Sequence, residues 1–364
     1  MEVDIAVIGA GPAGSLIAQL LGRNYRTIVI EEHQTPGFPV QCAGLVSEDC
    51  FRAYSKYCKI ERCVENEIRG ALFFSPNGEF VEAKGKAYVI DRRLLDLYLF
   101  YRAAEFSETI VKSKVRFKGN TILAEREISA EYIVGADGVY SATARYYGFE
   151  RPRIFSAVQI ETKFEPMDEN FVELYFGEKY SDGFFAYAVP IGDTAKLGVI
   201  SRKNPNIYLR KLIENHPSVS KRVKSTVLEF NCGAIPANLV DFVKNNVALI
   251  GDSAGMVKPY TGGGLFYIVR AAEKLAENFP NLEAYKESYL SELGKEHEFG
   301  GKIQRLYSVL TDAELNKLVR LFKEFDFSGV DMDRPSTLLS KAGAALRLLR
   351  SPSLAFKIFG TLLF

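Results

Sequence analysis

The run Asp4-Ile5-Ala6-Val7-Ile8 leads directly into Gly9-Ala10-Gly11-Pro12-Ala13-Gly14 and then into the apolar stretch Ser15 to Leu21. A buried strand, a glycine turn and a helix in that order predict a dinucleotide-binding βα unit. Gly9 permits the tight turn, Gly11 and Ala13 leave the backbone open to a pyrophosphate, and Gly14 lets helix and strand pack closely. The phosphates then sit on the helix N-terminus. A second strand, Thr27-Ile28-Val29-Ile30, ends in Glu31, where an acid bonds ribose hydroxyls and disfavours a 2′-phosphate.

A second glycine-rich stretch lies far along the chain. Val247-Ala248-Leu249-Ile250 reads as another strand, followed by Gly251-Asp252-Ser253-Ala254-Gly255 and, after a short interval, Thr261-Gly262-Gly263-Gly264-Leu265. Asp252 thus stands at a strand's carboxyl end, where open α/β sheets bind ligands. The three glycines open an apolar helix whose free amides favour negative charge. Two such stretches in one chain point to FAD, with Asp252 on the ribityl chain and the amides of Gly262, Gly263, Gly264 and Leu265 at the flavin N1/C2=O edge.

The rest of the sequence narrows the class. A chain of 364 residues exceeds one ordinary domain, and a net charge of +1 gives no electrostatic footprint for nucleic acid. The start carries no charged leader or apolar signal core, and no stretch approaches the roughly 18 apolar residues of a membrane span. The cytoplasm is the expected location. Five cysteines do not suggest a secreted disulfide framework. Cys42, Cys50, Cys58 and Cys63 cluster without a Cys-x-x-Cys element, so no metal site is expected, although a bridge between two of the cysteines other than Cys42 remains open. His33, His216 and His297 are isolated, and no Gly-x-Ser-x-Gly elbow occurs. Asp137, in Gly135-Ala136-Asp137-Gly138, either touches ligand or holds the turn before a helix at Ser141.

The expected fold is α/β: a Rossmann-like FAD-binding domain from residues 1–152 and 231–285, an antiparallel-sheet substrate domain over 153–230, and a helical C-terminal region over 286–364. Strands are expected at Ala157 to Ile160, Val172 to Phe176, Phe184 to Val189 and Lys196 to Ile200, with a hairpin turn at Ser75-Pro76-Asn77-Gly78. Alternation places Phe185, Tyr187 and Val189 on one face, able to line an apolar tunnel, and Phe184, Ala186 and Ala188 on the other, leaving room for helices. Near the end, Leu346, Leu349, Leu354, Phe356 and Ile358 interleave with Lys341, Arg347, Arg350 and Lys357. This predicts two short basic amphipathic helices broken at Pro352, which either pack on the body or rest on an anionic membrane.

Three segments carry a resemblance: Pro39-Val40-Gln41-Cys42-Ala43-Gly44-Leu45, Lys258-Pro259-Tyr260-Thr261-Gly262-Gly263-Gly264 and Phe185-Ala186-Tyr187-Ala188-Val189-Pro190. With Asp91-Arg92 and Gly135 to Gly138, they resemble the geranylgeranyl reductase family of the flavoprotein hydroxylase superfamily, including digeranylgeranylglycerophospholipid reductases. The resemblance covers most of the chain and thins beyond about residue 325. It implies FAD as cofactor, Cys42 and Ala43 on the flavin side, Arg92 at the cofactor, and Phe185, Tyr187 and Val189 along the substrate. The family usually has Trp and Phe where this chain has Tyr187 and Val189. The implied activity is hydride addition to isolated C=C bonds of a polyprenyl lipid or prenyl diphosphate, in archaeal-type lipid synthesis, with NAD(P)H or a ferredoxin-like carrier as electron donor. Cys42, Tyr187 and Tyr260 are the candidate proton donors, and Cys42 can equally be a buried small hydrophobe. An FAD-dependent monooxygenase or halogenase, or a non-catalytic flavin- or lipid-binding protein, are the alternative readings. Peripheral membrane contact through the tail accompanies the lipid reading.

Overall fold

The computed structural model describes residues 1–39, 42–119 and 121–363; Val40 and Gln41 of the cysteine segment lie outside the described residues. In the first of two sheets, Val247–Leu249, Glu127–Gly135, Glu2–Ile8, Thr27–Ile30 and Glu108–Ile110 run parallel, side by side. Val243–Lys244 adds an antiparallel edge, and the hairpin of Arg116–Lys118 and Thr121–Leu123 branches from Glu127–Gly135. Ile5 and Val7 face one core while Ala6 and Ile8 face another. Burial on both faces is why this strand reads as a continuous apolar run. Helices Pro12–Leu21, Arg92–Ala104 and Leu265–Asn278 share the first core through Leu16, Leu95, Leu99, Phe266 and Val269.

The second sheet runs in the order Val223–Pro236, Ile154–Phe164, Thr194–Ser201, Ala186–Ile191, Phe171–Tyr175, Val64–Phe74, Phe80–Ile90, Leu45–Ser47. This sheet draws strands from both sides of the expected division of the chain. Residues 45–90 fall inside the expected 1–152 segment, yet their strands belong to the second sheet, and Val223–Pro236 crosses the boundary at 231. The sheet is also mixed, because Phe171–Tyr175 runs parallel to Val64–Phe74. A hairpin around Ser75 to Gly78 has the same local signals in either sheet; only long-range pairing decides its partner.

Alternation gives this sheet two different faces. Leu72, Phe74, Tyr175, Ala186, Ala188, Leu197 and Val199 pack with Leu209 and Leu212 of the helix Pro205–Asn215. Ala71, Phe73, Val172, Leu174, Tyr187, Val189 and Ile200 turn the other way, toward a cavity between the sheets. The helix lies over Ile154–Phe164 and Thr194–Ser201, and on the other face the larger residues build a wall.

The C-terminal region comprises helices Leu282–Val309, Asp312–Phe322, Ala342–Leu348 and Pro352–Leu363, with a 3₁₀ turn at Pro335–Ser340. Thr311 and Glu314 form a reciprocal capping box at the start of the second. The last helix begins at Pro352 and buries Leu354, Ala355 and Ile358 against Leu310 and Leu315. Its inner face is therefore part of the fold. Leu339, Leu346, Leu349 and Phe356 remain exposed, Phe356 at 83 %. No helix among the described residues is long and apolar enough to cross a membrane.

His216 caps the helix Pro205–Asn215 at its C-terminus and is fully buried. Its Nδ1 accepts the Ser218 amide at 3.2 Å, and its ring meets Tyr175 and Tyr180 edge-on. Burial, with Arg222 adding to it, pushes its pKa down to about 4. The folded protein thus refuses a proton that the unfolded chain accepts below about pH 6.5. Stability should fall as pH drops from about 6.5 to 4, by up to roughly 3 kcal/mol from this group. Urea unfolding of the parent and of His216→Asn, which keeps an acceptor for Ser218, should show a shallower loss in the variant; equal slopes would remove His216 as the cause.

Candidate active site

Parallel pairing brings three strand ends level: Ile8 lies opposite Gly135, and Gly135 opposite Leu249. The loops that leave these ends, with the triple-glycine loop and the cavity face of the second sheet, enclose one continuous cavity of about 870 Å³. That is toward the upper end of the roughly 300–1,000 Å³ common for small-molecule sites.

One end of the cavity is backbone. Gly9 has φ +98°, and a Cβ there would lie 2.4 Å from the Ala136 carbonyl oxygen. A Cβ at Gly14 would fall 1.9 Å from the Gly9 carbonyl oxygen. Gly11 differs, since nothing lies within 4 Å of its Cβ position and it lines the cavity with Ala13. The first amides of the helix Pro12–Leu21 have no carbonyl of their own turn to bond, so this end offers donors to an anion. Glu31 stands at the end of its strand as expected, but it is not part of the cavity wall. Its Oε2 accepts the Ala10 amide at 2.7 Å, and its Oε1 accepts the His33 amide at 2.8 Å, which ties the glycine turn to the second strand.

Arg92 lines the cavity and pairs through two hydrogen bonds of 3.0 Å with buried Asp96. Asp91 caps that helix by accepting the Arg93 amide at 2.8 Å. Asp252 also lines the cavity, and burial raises its pKa, opposed only by the charge of Arg92. No donor among the described residues bonds this carboxylate, which makes it a natural acceptor for ligand hydroxyls. Gly262, Gly263, Gly264 and Leu265 form the adjoining wall, and a Cβ at Gly264 would lie 3.5 Å from Asp252 Oδ1.

The other end is apolar. Phe185, Tyr187 and Val189 all line it, with Phe73, Leu174 and Ile200 from neighbouring strands. Tyr187 lies across Gly198 in the adjacent strand, where a Cβ would sit 2.2 Å from the phenol ring, and its hydroxyl donates to Gln159 Oε1 at 2.9 Å. Burial, with Cys42 beside it, raises its pKa, so the phenol keeps its proton. Half-buried Cys42 and Ala43 line the cavity where the two ends meet, and Cys42 Sγ accepts the Gly44 amide at 3.4 Å. Tyr260 lines it too, but its hydroxyl is committed to the Met332 carbonyl.

Asp137 accepts from the Ser141 hydroxyl at 2.5 Å and from the Thr143 amide at 3.0 Å, so it holds the turn into the helix Ala142–Tyr146. All five cysteines are free thiols, and the bridge left open by the sequence is not formed. Among the described residues, no group of three or more His, Cys, Asp or Glu side chains is placed to hold a metal ion. Among the charged wall residues that the sequence did not announce are Lys258, which opens the triple-glycine motif, and Asp333, beyond the point where the resemblance thins. Their Nζ and Oδ1 are 2.7 Å apart. The segment around Asp333 also supplies Phe327, Val330, Met332 and Leu338 to the wall, and no local pattern announced it.

The family model for lycopene cyclase protein matches residues 4–342. A digeranylgeranylglycerophospholipid reductase of Methanococcus aeolicus is 30% identical, over 97% of this chain and 96% of its own. Among solved structures, a geranylgeranyl bacteriochlorophyll reductase-like protein of Thermoplasma acidophilum superposes with a TM-score of 0.81 at 21% identity, covering 97% of this chain and 99% of that one. A probable FAD-dependent monooxygenase of Pseudomonas aeruginosa reaches a TM-score of 0.66 at 19% identity, over 88% of this chain and 100% of that one.

The two glycines should respond differently to a methyl group. Gly14→Ala should destabilise by about 1–3 kcal/mol through overpacking against Gly9. Gly11→Ala should leave unfolding within about 0.5 kcal/mol of the parent while blocking dinucleotide binding, because its Cβ enters empty space. Urea midpoints with a flavin-release assay check both; similar destabilisation by the two would show that the cavity is not open at Gly11.

Proposed function

Since the chain belongs to the lycopene cyclase protein family and is an FAD-dependent oxidoreductase of the geranylgeranyl reductase type, we propose that it binds FAD non-covalently and saturates isolated C=C bonds of a polyprenyl lipid. One observation carries this reading. The glycine-turn end of the cavity opens without a partition onto an apolar end walled by the second sheet and by Ile303, Tyr307, Phe327 and Val330 of the C-terminal region. A polar dinucleotide and an apolar chain are thereby offered one shared space.

The residues fit FAD. The free amides after Gly11 suit the diphosphate, Asp252 suits the ribityl hydroxyls, and the start of the helix Leu265–Asn278 suits the anionic edge of the reduced ring. Bound and reduced, FAD supplies hydride equivalents, which the chain itself cannot. The protein's part is to hold the alkene against the ring and to exclude water. Phe185, Tyr187 and Val189 serve as the wall for the prenyl chain. Cys42, at the junction of the two ends, and Tyr187, whose phenol stays protonated, are the groups placed to hold a proton for the second alkene carbon. Tyr260 is assigned to holding the Met332 segment through its hydroxyl; the Tyr187 hydroxyl is engaged as well, by Gln159 Oε1, so Cys42 is the first of the two candidates. The electron donor is proposed to be NAD(P)H or a ferredoxin-like carrier.

The deciding experiment reduces the FAD-loaded protein under anaerobic conditions, adds a geranylgeranyl lipid and follows flavin reoxidation and product mass together. Each reduced bond should add two hydrogens, and Cys42→Ala should slow reoxidation at least tenfold, whereas Cys232→Ala, at an exposed thiol, should not. A product of unchanged mass would instead indicate cyclisation, the activity in the matching family's name. Absence of substrate-dependent reoxidation would leave a flavin- or lipid-binding protein, and an oxygen requirement a monooxygenase.

The substrate also gives the tail a proposed partner. Leu338 lines the cavity and its neighbour Leu339 is exposed, as are Leu346, Leu349 and Phe356, in a segment that carries Lys341 and Arg350. Apolar side chains beside cations suit the interface of an anionic bilayer. Deleting the tail would uncover Leu310 and Leu315, so Leu346→Ser/Leu349→Ser/Phe356→Ser is the sharper probe. These changes should lower sedimentation with anionic vesicles at least tenfold without loss of FAD; unchanged sedimentation would assign the tail to the fold alone.

A further inference from the structure

Lys258 is placed where a charge has consequences for the glycine loop. It is only 5% exposed. Its amide donates to the Gly263 carbonyl at 3.0 Å, and its own carbonyl accepts the Gly262 amide at 2.8 Å and the Thr261 amide at 3.1 Å. Its side chain folds back over the same loop, with Cε 3.1 Å from where a Gly263 Cβ would be. The loop is thus closed around residue 258 by both backbone and side chain.

The partner of the ammonium comes from a distant segment. Asp333, 1% exposed, accepts from Nζ at 2.7 Å with Oδ1 and from the Ser47 hydroxyl with Oδ2. Ser47 Oγ in turn accepts the Cys50 amide at 2.9 Å as the cap of the helix Glu48–Tyr54. The Asp333 carbonyl accepts the Tyr267 hydroxyl at 3.2 Å. Ser47, Lys258, Gly263 and Asp333 all line the cavity. A buried ion pair repays its desolvation poorly as a stabilising device, so its location is the better guide to its role. Lys has three N–H donors, and Asp333 accepts one of them.

We propose that Lys258 is a positioning and electrostatic residue for the flavin: it shapes the triple-glycine loop, and its charge favours the anionic reduced ring, with Asp333 holding that effect in check. This rests on the FAD reading above. The two charges act on a nearby anion with opposite sign, in a site where water screens little. Removing the cation leaves a buried carboxylate that opposes reduction. Removing the carboxylate leaves an unopposed ammonium that favours it.

The test is the two-electron reduction potential of the FAD-bound full-length protein, measured by dye equilibration. Lys258→Met should weaken the hold on reduced relative to oxidised FAD at least tenfold, a fall of about 30 mV for a two-electron couple. Asp333→Asn should move the potential the other way by a similar amount, and Lys258→Met/Asp333→Asn should return toward the parent. Shifts of the same sign, or none, with FAD bound would overturn the proposal and leave the pair a structural tie. Should Lys258→Met not fold, Lys258→Arg with Asp333→Asn decides: the charge-keeping variant must hold the parent potential while Asp333→Asn raises it, and any other result overturns the proposal. A parent protein that takes up no FAD would instead refute the functional reading.

Discussion

The structure depends on the strands Glu2–Ile8, Glu127–Gly135 and Val247–Leu249 ending at one level. Backbone bonds carry the alignment past the strand ends, from Gly9 to Ile30 at 2.8 Å, from Ala136 to Ile8 at 2.8 Å and from Ile250 to Gly135 at 3.0 Å. Three loops remote in sequence must therefore leave the sheet side by side. They fit only because residues 9 and 14 have no side chain, since any Cβ there would strike a carbonyl oxygen. A donor-rich rim follows from this crowding, and the second sheet needs only to cover it to make an enclosed site.

What the sequence revealed was local. The apolar run before Gly9, the acid after Ile30 and the glycines before Leu265 each belong to one short segment, and their chemistry depends on that segment's own backbone. The alternation of Phe185, Tyr187 and Val189 is likewise local, and all three share the cavity wall. The sheet that holds Val64–Phe74 was not legible, because its parallel neighbour Phe171–Tyr175 lies about a hundred residues on and leaves no mark in either segment. Asp333 was hidden for the same reason. An acid in a polar stretch looks solvated until tertiary packing brings Lys258 and Ser47 against it.

Charge is unevenly distributed through the interior. Arg92 with Asp96, Asp252, and Lys258 with Asp333 all border one cavity, while the cores on the outer faces of both sheets are built chiefly from aliphatic and aromatic side chains, with the Glu173–Arg222 pair buried beside Tyr175 in one of them. Burying charges is costly, and breaking such a pair leaves a worse state than never having made it. Their concentration here marks the region where the fold gives up stability for chemistry. The apolar cores elsewhere, and the helix Pro205–Asn215 packed over Ile154–Phe164 and Thr194–Ser201, compensate for it.

The width of the apolar end is governed from outside the cavity. The Tyr187 ring rests on the bare backbone of Gly198, one strand over, and is moored to Gln159 behind it. A methyl group at residue 198 would meet the ring before it met any ligand, so the aromatic plane would have to swing inward and narrow the passage. Residue 198 acts as a shim beneath a movable panel. The bore of such a passage can consequently drift between related proteins while every residue that touches the guest stays the same, and a comparison confined to the lining would overlook the change.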